Sequence, residues 1–569
     1  MSLRRRPIWL VAMLACLLLV PTTSAIGGSP RRGAQAPKSA ASVSRPRMTP
    51  VKPDALTRRL DAGRLSQARY ALERARTLTD LQGVRARFGQ VARAESGLAT
   101  FILRDLSLRK NALSGAERRE AERMFLRPDS QGGDDLNGYI VDYSVPSETV
   151  CSDDPSVKLC FHWVTTTRDK ASDAEVQAAR DVFTQVWNAE IGTFGLQPPK
   201  GDATSKKPGP NEYTDIYLAN LGPNYYGYCT SDDPNVDRIF NGSYDHADVS
   251  SYCVVDNNFT EFTANTPIDN LRVTAAHEFL HAIQFAYDYL EDFWMLEGTA
   301  TAMEDFVYDD VNDNLQYLVG SPMTNPRQPL DYSDDFSIYG TWTFWRFLSE
   351  RFSSTGIADP LVIREVLERA QASKASGVTI EQSPYSLQAV KQTLAARGAD
   401  LTSVFALFGA ANYKATGYYE EGAEYDAYLG SRGVRKARVS PASPVKKGET
   451  KVDHLATLWK LYAPGDGVAA DAQLKLNLDL PATRRGSAAS VRIFRTDGTE
   501  EVQSFVLTSD GAGTLTVPFG AGTVEKVLLV LTNASTRTEC FSRRANYISS
   551  CYGKPRDDRL LYVFSARLI

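Results

Sequence analysis

Residues Leu271–Tyr289 decide the fold of the central part of the chain, and they read LRVTAAHEFLHAIQFAYDY. Most of these residues are good helix formers, and Asn270 could cap the first turn. The pattern H-E-x-x-H occupies His277, Glu278 and His281. The stretch therefore predicts a helix that packs an apolar side inward and carries three residues able to do chemistry.

The spacing of the two histidines suits a shared metal ion. Residues four apart lie on one face of a helix, so both imidazoles can reach the same zinc ion. Glu278 follows His277 directly, and its carboxylate can reach a zinc-bound water rather than the zinc itself. With five histidines in the chain, a chance match is expected at well below about one in a hundred. The pattern predicts a catalytic zinc site, with a structural or relic metal site as the alternative.

A catalytic zinc ion needs three protein ligands and one open position. The metzincin pattern would require Gly and His where Gln284 and Tyr287 stand, and the aspzincin pattern would require an acid within residues 298–301. Neither pattern is present. The downstream run WMLEGTA, residues 294–300, instead resembles the E-G-x-A motif on the second helix of the gluzincin metallopeptidases.

The gluzincin resemblance implies that Glu297 is the third zinc ligand. Fifteen residues separate it from His281, a shorter gap than in thermolysin-like and aminopeptidase members. Glu304 lies seven residues further on, on the same helical face, and is the reserve candidate. A purely structural role for Glu297, as an acid near a helix N-terminus, stays open.

The order of predicted elements also resembles the zincin fold. The runs VVDNNF, TAAHEFLHAIQFAYD and WMLEGTATAMED are similar to an uncharacterised family of secreted bacterial proteins described as metalloproteases. This resemblance covers roughly residues 155–370 and implies proteolysis without naming a substrate. In such a fold Tyr213–Leu221 is the expected edge strand, able to pair with an extended substrate.

The implied reaction is peptide hydrolysis by a metalloendopeptidase. Zinc would polarise the scissile carbonyl and lower the pKa of its bound water toward about 7. Glu278 would take the water proton and pass it to the leaving amine. Tyr339 and Tyr287 are candidate donors to the oxyanion, and a buried aromatic side chain is the alternative role for each.

The first twenty-five residues predict an export signal. Arg4, Arg5 and Arg6 precede an apolar run, residues 8–20, and the small residues 23–25 form a cleavage site. An apolar run of about thirteen residues is short for a membrane span. We therefore expect a secreted, bacterial protein that carries no membrane span.

Composition divides the 569 residues into regions, because the chain is too long for one ordinary domain. After the signal peptide (1–25), residues 26–147 combine a flexible leader with Arg/Ala-rich helices typical of a propeptide. Residues 148–440 would form the zincin-like α+β catalytic domain. Residues 441–569 alternate apolar and polar side chains, which predicts an all-β sandwich. The expected fold class is multidomain α+β.

The six cysteines beyond the signal peptide predict three disulfides. Fifteen pairings are possible, but the cysteines fall into three groups of near neighbours. This grouping favours Cys151–Cys160, Cys229–Cys253 and Cys540–Cys551. A cysteine zinc site would require C-x-x-C spacing, which the sequence lacks.

Charge is distributed unevenly along the chain. Residues 26–130 carry 22 Lys and Arg against 10 Asp and Glu, whereas the net charge beyond residue 130 is about −19. In an exported protein we expect the basic segment to cover the acidic body rather than bind nucleic acid. A solvated helical face is the alternative. No cysteine lies between residues 26 and 150, so an inhibitory propeptide would act by steric cover, charge, or a carboxylate such as Asp134 or Asp135.

The remaining expectations concern ligands and partners. The acidic pairs at residues 232–233 and 309–310 are candidate Ca²⁺ sites, although exposed loops are the commoner origin of such pairs. Protein or peptide substrates are the expected partners, and a monomer is the expected state. A secreted binding or adhesion protein with a degenerate enzyme domain, and a zinc hydrolase of non-peptide bonds, stay open as alternative functions.

Overall fold

The computed structural model describes residues 54–92, 98–130, 140–333, 337–353, 359–540 and 549–569. The predicted signal peptide, the leader as far as residue 53, Asp134 and Asp135 lie outside these ranges. The described residues belong to one compact unit that contains helices and several β-sheets. The predicted α+β class is therefore confirmed, while the boundaries of the three regions remain a prediction.

The Arg/Ala-rich segment is helical, as its composition predicts. Ser66 and Asp80 each accept a backbone N–H at the start of a helix, and Ser114 forms a capping box with Glu117. The helices of this segment are α1 (Ala55–Asp61), α2 (Gln67–Thr79), α3 (Leu81–Phe88), α4 (Ala99–Arg109) and α5 (Gly115–Arg123).

A five-stranded sheet follows in the chain. Its strands are β1 (Glu148–Cys151), β2 (Leu159–Trp163), β3 (Thr214–Ala219), β4 (Gly227–Thr230) and β5 (Tyr252–Asp256). Their spatial order is β1-β2-β3-β5-β4. The three inner strands run parallel, whereas β1 and β4 pair antiparallel with their neighbours. The sheet therefore ends at β4 on one side.

The edge strand lies at a different place from the one predicted. Tyr213–Leu221 contains β3, which lies in the centre of the sheet with all its residues buried. Strand β5 comes later in the chain but lies between β3 and β4. Short apolar runs look alike in central and outer strands, so the pattern alone does not reveal this order.

Helices fill the rest of the central region. They are α6 (Asp173–Trp187), α7 (Asn235–Phe240), α8 (Pro267–Tyr287), α9 (Phe293–Val307), α10 (Ser337–Gly340), α11 (Trp342–Phe352), α12 (Leu361–Ala370), α13 (Leu387–Ala396), α14 (Leu401–Ala411) and α15 (Gly422–Leu429). No single helix of the described residues is long and apolar enough to span a membrane. By length and composition alone, α13 and α14 are long and apolar enough together, as a pair of helices bent by 98°.

The two faces of the five-stranded sheet pack against different helices, because successive side chains of a strand point to opposite faces. Ile216 and Leu218 join the core formed with α6, α8 and α9. Tyr217 and Tyr252 instead pack with apolar residues of α2 and α4. The N-terminal helices thus cover one face of the sheet that carries the central region.

The C-terminal region consists of strands, as the alternating pattern predicts. They are β6 (Lys436–Val439), β7 (Val445–Val452), β8 (Ala456–Pro464), β9 (Gln473–Asp479), β10 (Ser487–Arg495), β11 (Glu500–Ser504), β12 (Ala512–Pro518), β13 (Val524–Asn533), β14 (Thr538–Glu539), β15 (Lys554–Pro555) and β16 (Leu560–Leu568). One sheet has the order β11-β10-β13-β8-β6 and another β12-β9-β16-β7. Leu476 of one sheet and Leu529 of the other belong to the same apolar core.

The six cysteines form the three pairs that their spacing favours. Cys151–Cys160 joins β1 to β2, Cys229–Cys253 joins β4 to β5, and Cys540–Cys551 closes a C-terminal loop. Disulfides of this kind are compatible with an oxidising, extracytoplasmic environment.

His454 connects the C-terminal strands with the central region. Its Nε2 lies 2.8 Å from Asp331 Oδ1, and its Nδ1 lies 2.5 Å from Asp558 Oδ1. Burial disfavours the charged imidazole, yet the two carboxylates raise the pKa of His454 to about 10. The imidazolium is therefore held between two acids at neutral pH.

We expect His454→Gln to lower the melting temperature more at pH 6 than at pH 10. The folded-state pKa lies above the unfolded value of about 6.5, so the ionic contribution is complete below that pH and is lost as the pH rises towards 10. Thermal unfolding of both proteins across this range measures the difference. A difference in melting temperature that stays constant from pH 6 to pH 10 would contradict the assignment.

Candidate metal centre

Helix α8 carries the H-E-x-x-H pattern into the interior. It begins at Pro267, and Thr266 is its cap. The prediction that Asn270 caps the helix is therefore wrong, since Asn270 lies inside it. Proline suits the first helical position because an N–H there has no helical partner. The Asn270 side chain donates to the Phe262 carbonyl instead.

The imidazoles of His277 and His281 and the carboxylate of Glu297 come together. All three side chains are buried, and one ligand atom from each lies within 4.8 Å of the others. Glu297 Oε2 is 3.0 Å from Nε2 of His277 and 3.9 Å from Nε2 of His281. Glu297 lies on α9, which packs against α8.

These distances fit a single tetrahedral metal ion. Bonds of about 2.0–2.1 Å at tetrahedral angles place ligand atoms about 3.3 Å apart. Nε2 of His281 is fully buried, yet it has no hydrogen-bond partner among the described residues. Buried polar atoms are normally satisfied. The three residues could therefore hold a divalent metal ion.

Glu304, the reserve candidate for the third ligand, lies on the other side of His277. Its Oε1 is 2.7 Å from Nδ1 of that ring, while Glu297 faces Nε2. A histidine that donates its Nδ1 proton to a carboxylate presents its Nε2 lone pair to a metal. In this geometry Glu304 orients His277 and does not belong to the ligand group.

Gln284 contacts His281 in the same way, a role that the sequence alone did not predict. Its Oε1 is 2.8 Å from Nδ1 of His281, and its Nε2 donates to the Leu296 carbonyl and to Thr299 Oγ1. The signal in the sequence was a polar residue three positions after His281, on the same face of the helix. Gln284 therefore fixes the ring and ties α8 to α9.

Glu278 lies beside this group but faces a different partner. Its Oε2 accepts a hydrogen bond from Thr100 Oγ1 at 3.3 Å. Burial raises the pKa of Glu278 to about 7, with a smaller opposing effect of His277. Thr100 belongs to helix α4, so a residue of the N-terminal segment reaches the predicted general base.

The pKa values of the neighbouring groups reflect burial and the crowding of carboxylates. Burial raises the pKa of Glu297, and it raises that of Glu304 to about 8. Burial also holds the pKa of His281 well below its usual value. His277 differs, because Glu297 and Glu304 raise its pKa well above the usual range in spite of burial.

Of the two candidate oxyanion donors, only Tyr339 lies at the metal group. Its ring centroid is 6.1 Å from that of His277, and its side chain lowers the pKa of Glu297 against the larger effect of burial. Tyr287 accepts a hydrogen bond from the backbone N–H of Gln197 at 2.8 Å. The hydroxyl of Tyr287 thus serves a structural contact.

Close packing explains why a glycine, Gly298, directly follows Glu297. A Cβ atom at this position would lie 2.1 Å from Thr341 Oγ1 and 2.8 Å from Trp345 Nε1. Helix α9 can approach α11 this closely only because residue 298 has no side chain. The glycine of the E-G-x-A run therefore fixes the position of α9 and with it the carboxylate of Glu297.

Little open space remains beside the group. A cavity of about 40 Å³ adjoins His277, Glu278 and Glu304, with Tyr226 and Tyr339 among its other lining residues. By this measure of volume, one water molecule needs about 10–15 Å³. A peptide segment does not fit into the cavity as it stands.

The acidic pairs predicted as Ca²⁺ sites have other surroundings. Asp232 forms an ion pair with Arg127, and Asp233 lies near Lys200. Asp309 lies close to Asp305 and Glu421, and Asp310 does not belong to this group. Asp305, however, is already bound by Arg346 and Asn314. Asp305, Asp309 and Glu421 are nevertheless close enough to share one metal ion, so the Ca²⁺ site at this pair stays a prediction.

Comparisons with known proteins add little. No model of a known protein family matches the chain, and no curated protein sequence matches it. A solved structure of a GH115-family 4-O-methyl-α-glucuronidase with specificity for decorated arabinogalactans matches with a TM-score of 0.13 and 9% identity. The match covers 66% of this chain and 53% of that enzyme, about half its length. A likeness this weak supports no inference about fold or function.

We expect Glu304→Gln to weaken zinc binding by about ten- to a hundredfold, the usual cost of losing an outer partner of a metal-binding histidine. Competition with a chromogenic chelator measures the affinity. Glu261→Gln, a change at an exposed carboxylate, serves as the control and should leave the affinity unchanged. An affinity of Glu304→Gln equal to that of the wild type would contradict the orienting role.

Proposed function

We propose that the protein is an exported zinc metallopeptidase in which His277, His281 and Glu297 hold the zinc ion and Glu278 handles the proton. The proposal is carried by the convergence of the three ligand atoms within 4.8 Å on two packed helices. The H-E-x-x-H pattern and the gluzincin-like run after it agree with this assignment. The three disulfides agree with export.

Zinc suits this donor set better than calcium or magnesium. Two imidazoles and one carboxylate are typical ligands of catalytic zinc, whereas calcium and magnesium prefer oxygen ligands in larger number. No fourth His, Cys, Asp or Glu joins the group in the part of the chain that the structure describes. Three ligands with one open position are typical of a catalytic rather than a structural zinc site.

The residues divide the work of hydrolysis among them. When bound, zinc would polarise the scissile carbonyl and make a water molecule more acidic. Glu278 accepts the proton of that water and transfers it to the leaving amine. Glu304 and Gln284 keep the two imidazoles oriented.

A peptide is the favoured substrate because an outer strand lies next to the centre. The backbone of β4 can pair with an extended chain by strand addition. Gly227 of this strand is so close to Glu278 that a Cβ atom there would lie 3.0 Å from Glu278 Cγ. A peptide paired with β4 would therefore run past the proposed general base.

We expect Glu278→Gln to bind zinc as the wild type does and to lose peptidase activity by about a hundred- to ten-thousandfold, the usual contribution of a general base. Mass-spectrometric analysis of a peptide library after long incubation with zinc-loaded protein detects even slow cleavage. His277→Ala should lose both zinc and activity. Equal cleavage by wild type and Glu278→Gln would end the proposed mechanism.

The same assay separates the two alternative functions. A binding or adhesion protein with a degenerate site would show no hydrolysis that depends on Glu278. A zinc hydrolase of non-peptide bonds would bind zinc through His277 and His281 but leave the whole peptide library intact.

We also expect Tyr339→Phe to lower kcat by about a hundredfold, the usual cost of removing a hydrogen bond to an oxyanion. Zinc content should stay at the wild-type level, since Tyr339 is not a ligand in this proposal. Steady-state kinetics on a peptide that the library identifies measures the change. A variant with unaltered kcat would leave Tyr339 with a packing role only.

A further inference from the structure

Helix α4 lies against the outer strand β4 and against Glu278, where an extended substrate would pair in the proposed function. We propose that it is an internal plug, which keeps the metal centre latent through Thr100 and Phe101 in its first turn. The inference rests on the proposed function, because it assumes that His277, His281 and Glu297 form a working zinc site.

The free side of strand β4 is the surface that the plug occupies. Cys229 of β4 lies directly opposite Cys253 of β5, with their Cα atoms 4.1 Å apart. Such a short distance is typical of a non-hydrogen-bonded pair in an antiparallel ladder. The N–H of Cys229 therefore points away from β5, to the side where an added strand would pair.

Thr100 accepts a hydrogen bond from this N–H and also contacts Glu278, the proposed general base. Its Oγ1 accepts the N–H of Cys229 at 3.0 Å and donates to Glu278 Oε2 at 3.3 Å. One hydroxyl thus links the outer strand with Glu278. A peptide that paired with β4 and brought its scissile bond to Glu278 would have to displace Thr100.

Phe101 closes the space next to the second histidine. Its ring meets that of His281 edge-on at 5.2 Å and that of Phe293 at 4.8 Å. The side chain is buried, and so are His277 and Glu278. Thr100 and Phe101 do not line the cavity of about 40 Å³ beside His277, so they cover a different side of the metal group.

Hydrogen bonds and ion pairs hold α4 and the residues that follow it against the body. Arg104 donates to the Glu291 carbonyl at 2.6 Å, and its guanidinium stacks on the ring of Phe293. Lys110, which follows α4, pairs with Asp237 at 2.6 Å.

Further along the N-terminal segment, the buried Arg127 pairs with three acids of the body, Asp202, Asp215 and Asp232. The predicted cover of the acidic body by the basic segment thus has specific partners.

The first turn of α4 can open more easily than the rest of the helix. Leu98 stands at the cap position and offers no side-chain hydrogen bond to the first backbone N–H groups. Uncapped ends fray at lower cost than capped ones. Thr100 and Phe101 lie in this turn, whereas the anchoring Arg104 lies in the next one.

Cobalt uptake by the metal-free full chain tests the plug independently of catalysis. The visible absorption of bound Co²⁺ reports the rate at which the ion reaches the site. The variants are Thr100→Val, which keeps the shape but loses both hydrogen bonds, and Phe101→Ala. Ile102→Ala is the matched control, because Ile102 is half-buried in the same turn and packs against the core shared with the sheet. Circular dichroism verifies that each variant is folded.

We expect Thr100→Val and Phe101→Ala to take up cobalt about tenfold faster than the wild type, since local opening limits access. Ile102→Ala should take it up at the wild-type rate. The zinc-loaded forms of the first two variants should also cleave peptides faster by a similar factor.

The other outcomes separate the two proposals. Equal uptake rates in the wild type, both plug variants and the control would overturn the plug and leave the proposed function to the Glu278→Gln assay. Uptake by Ile102→Ala as fast as by Phe101→Ala would also overturn the plug. General loosening of α4 would then explain the faster uptake without a specific role of Phe101. Faster uptake without any peptide cleavage would support the plug as a cover of the metal site and contradict the proposed peptidase function. No cobalt binding in any protein would overturn both.

Discussion

The central region depends on one geometric constraint: His277, His281 and Glu297 must point their ligand atoms at the same small volume. Two packed helices and a glycine at residue 298 make this possible. Glu278 and Glu304 lie beside this volume, so three glutamates are buried near one another. Burying several carboxylates is costly unless positive charge balances them. A divalent cation at the convergence point would supply this balance, which is the physical reason for proposing a zinc ion.

Sequence reasoning was strongest where the chemistry lies within one helix. His277, Glu278 and His281 follow from a spacing of four residues, since the helix itself brings the two imidazoles together. The three cysteine pairs also follow from local spacing. The position of Glu297 beside the histidines needed the resemblance of its motif, because the angle between two helices is not encoded in any short stretch.

What the sequence could not reveal depends on contacts between distant segments. Thr100 and Glu278 are separated by 178 positions, and no pattern in either segment points to the other. The central place of β3 in the sheet likewise depends on β5 inserting between β3 and β4. Glu304 was a reasonable ligand candidate because it shares a helical face with Glu297. Its contact with the opposite nitrogen of His277 depends on a ring orientation that only the packed structure defines.

X-ray absorption spectroscopy of the zinc-loaded full chain is the sharpest test of the proposed ligands, because it reports the atoms bound to the metal without requiring a substrate. We expect one zinc ion per chain with two imidazole nitrogens and a carboxylate oxygen at about 2.0–2.1 Å, completed by a further light atom. The Glu297→Ala protein should lose the carboxylate contribution or the zinc itself. A spectrum with sulfur ligands, with fewer than two imidazoles, or unchanged in Glu297→Ala would rule out this ligand set.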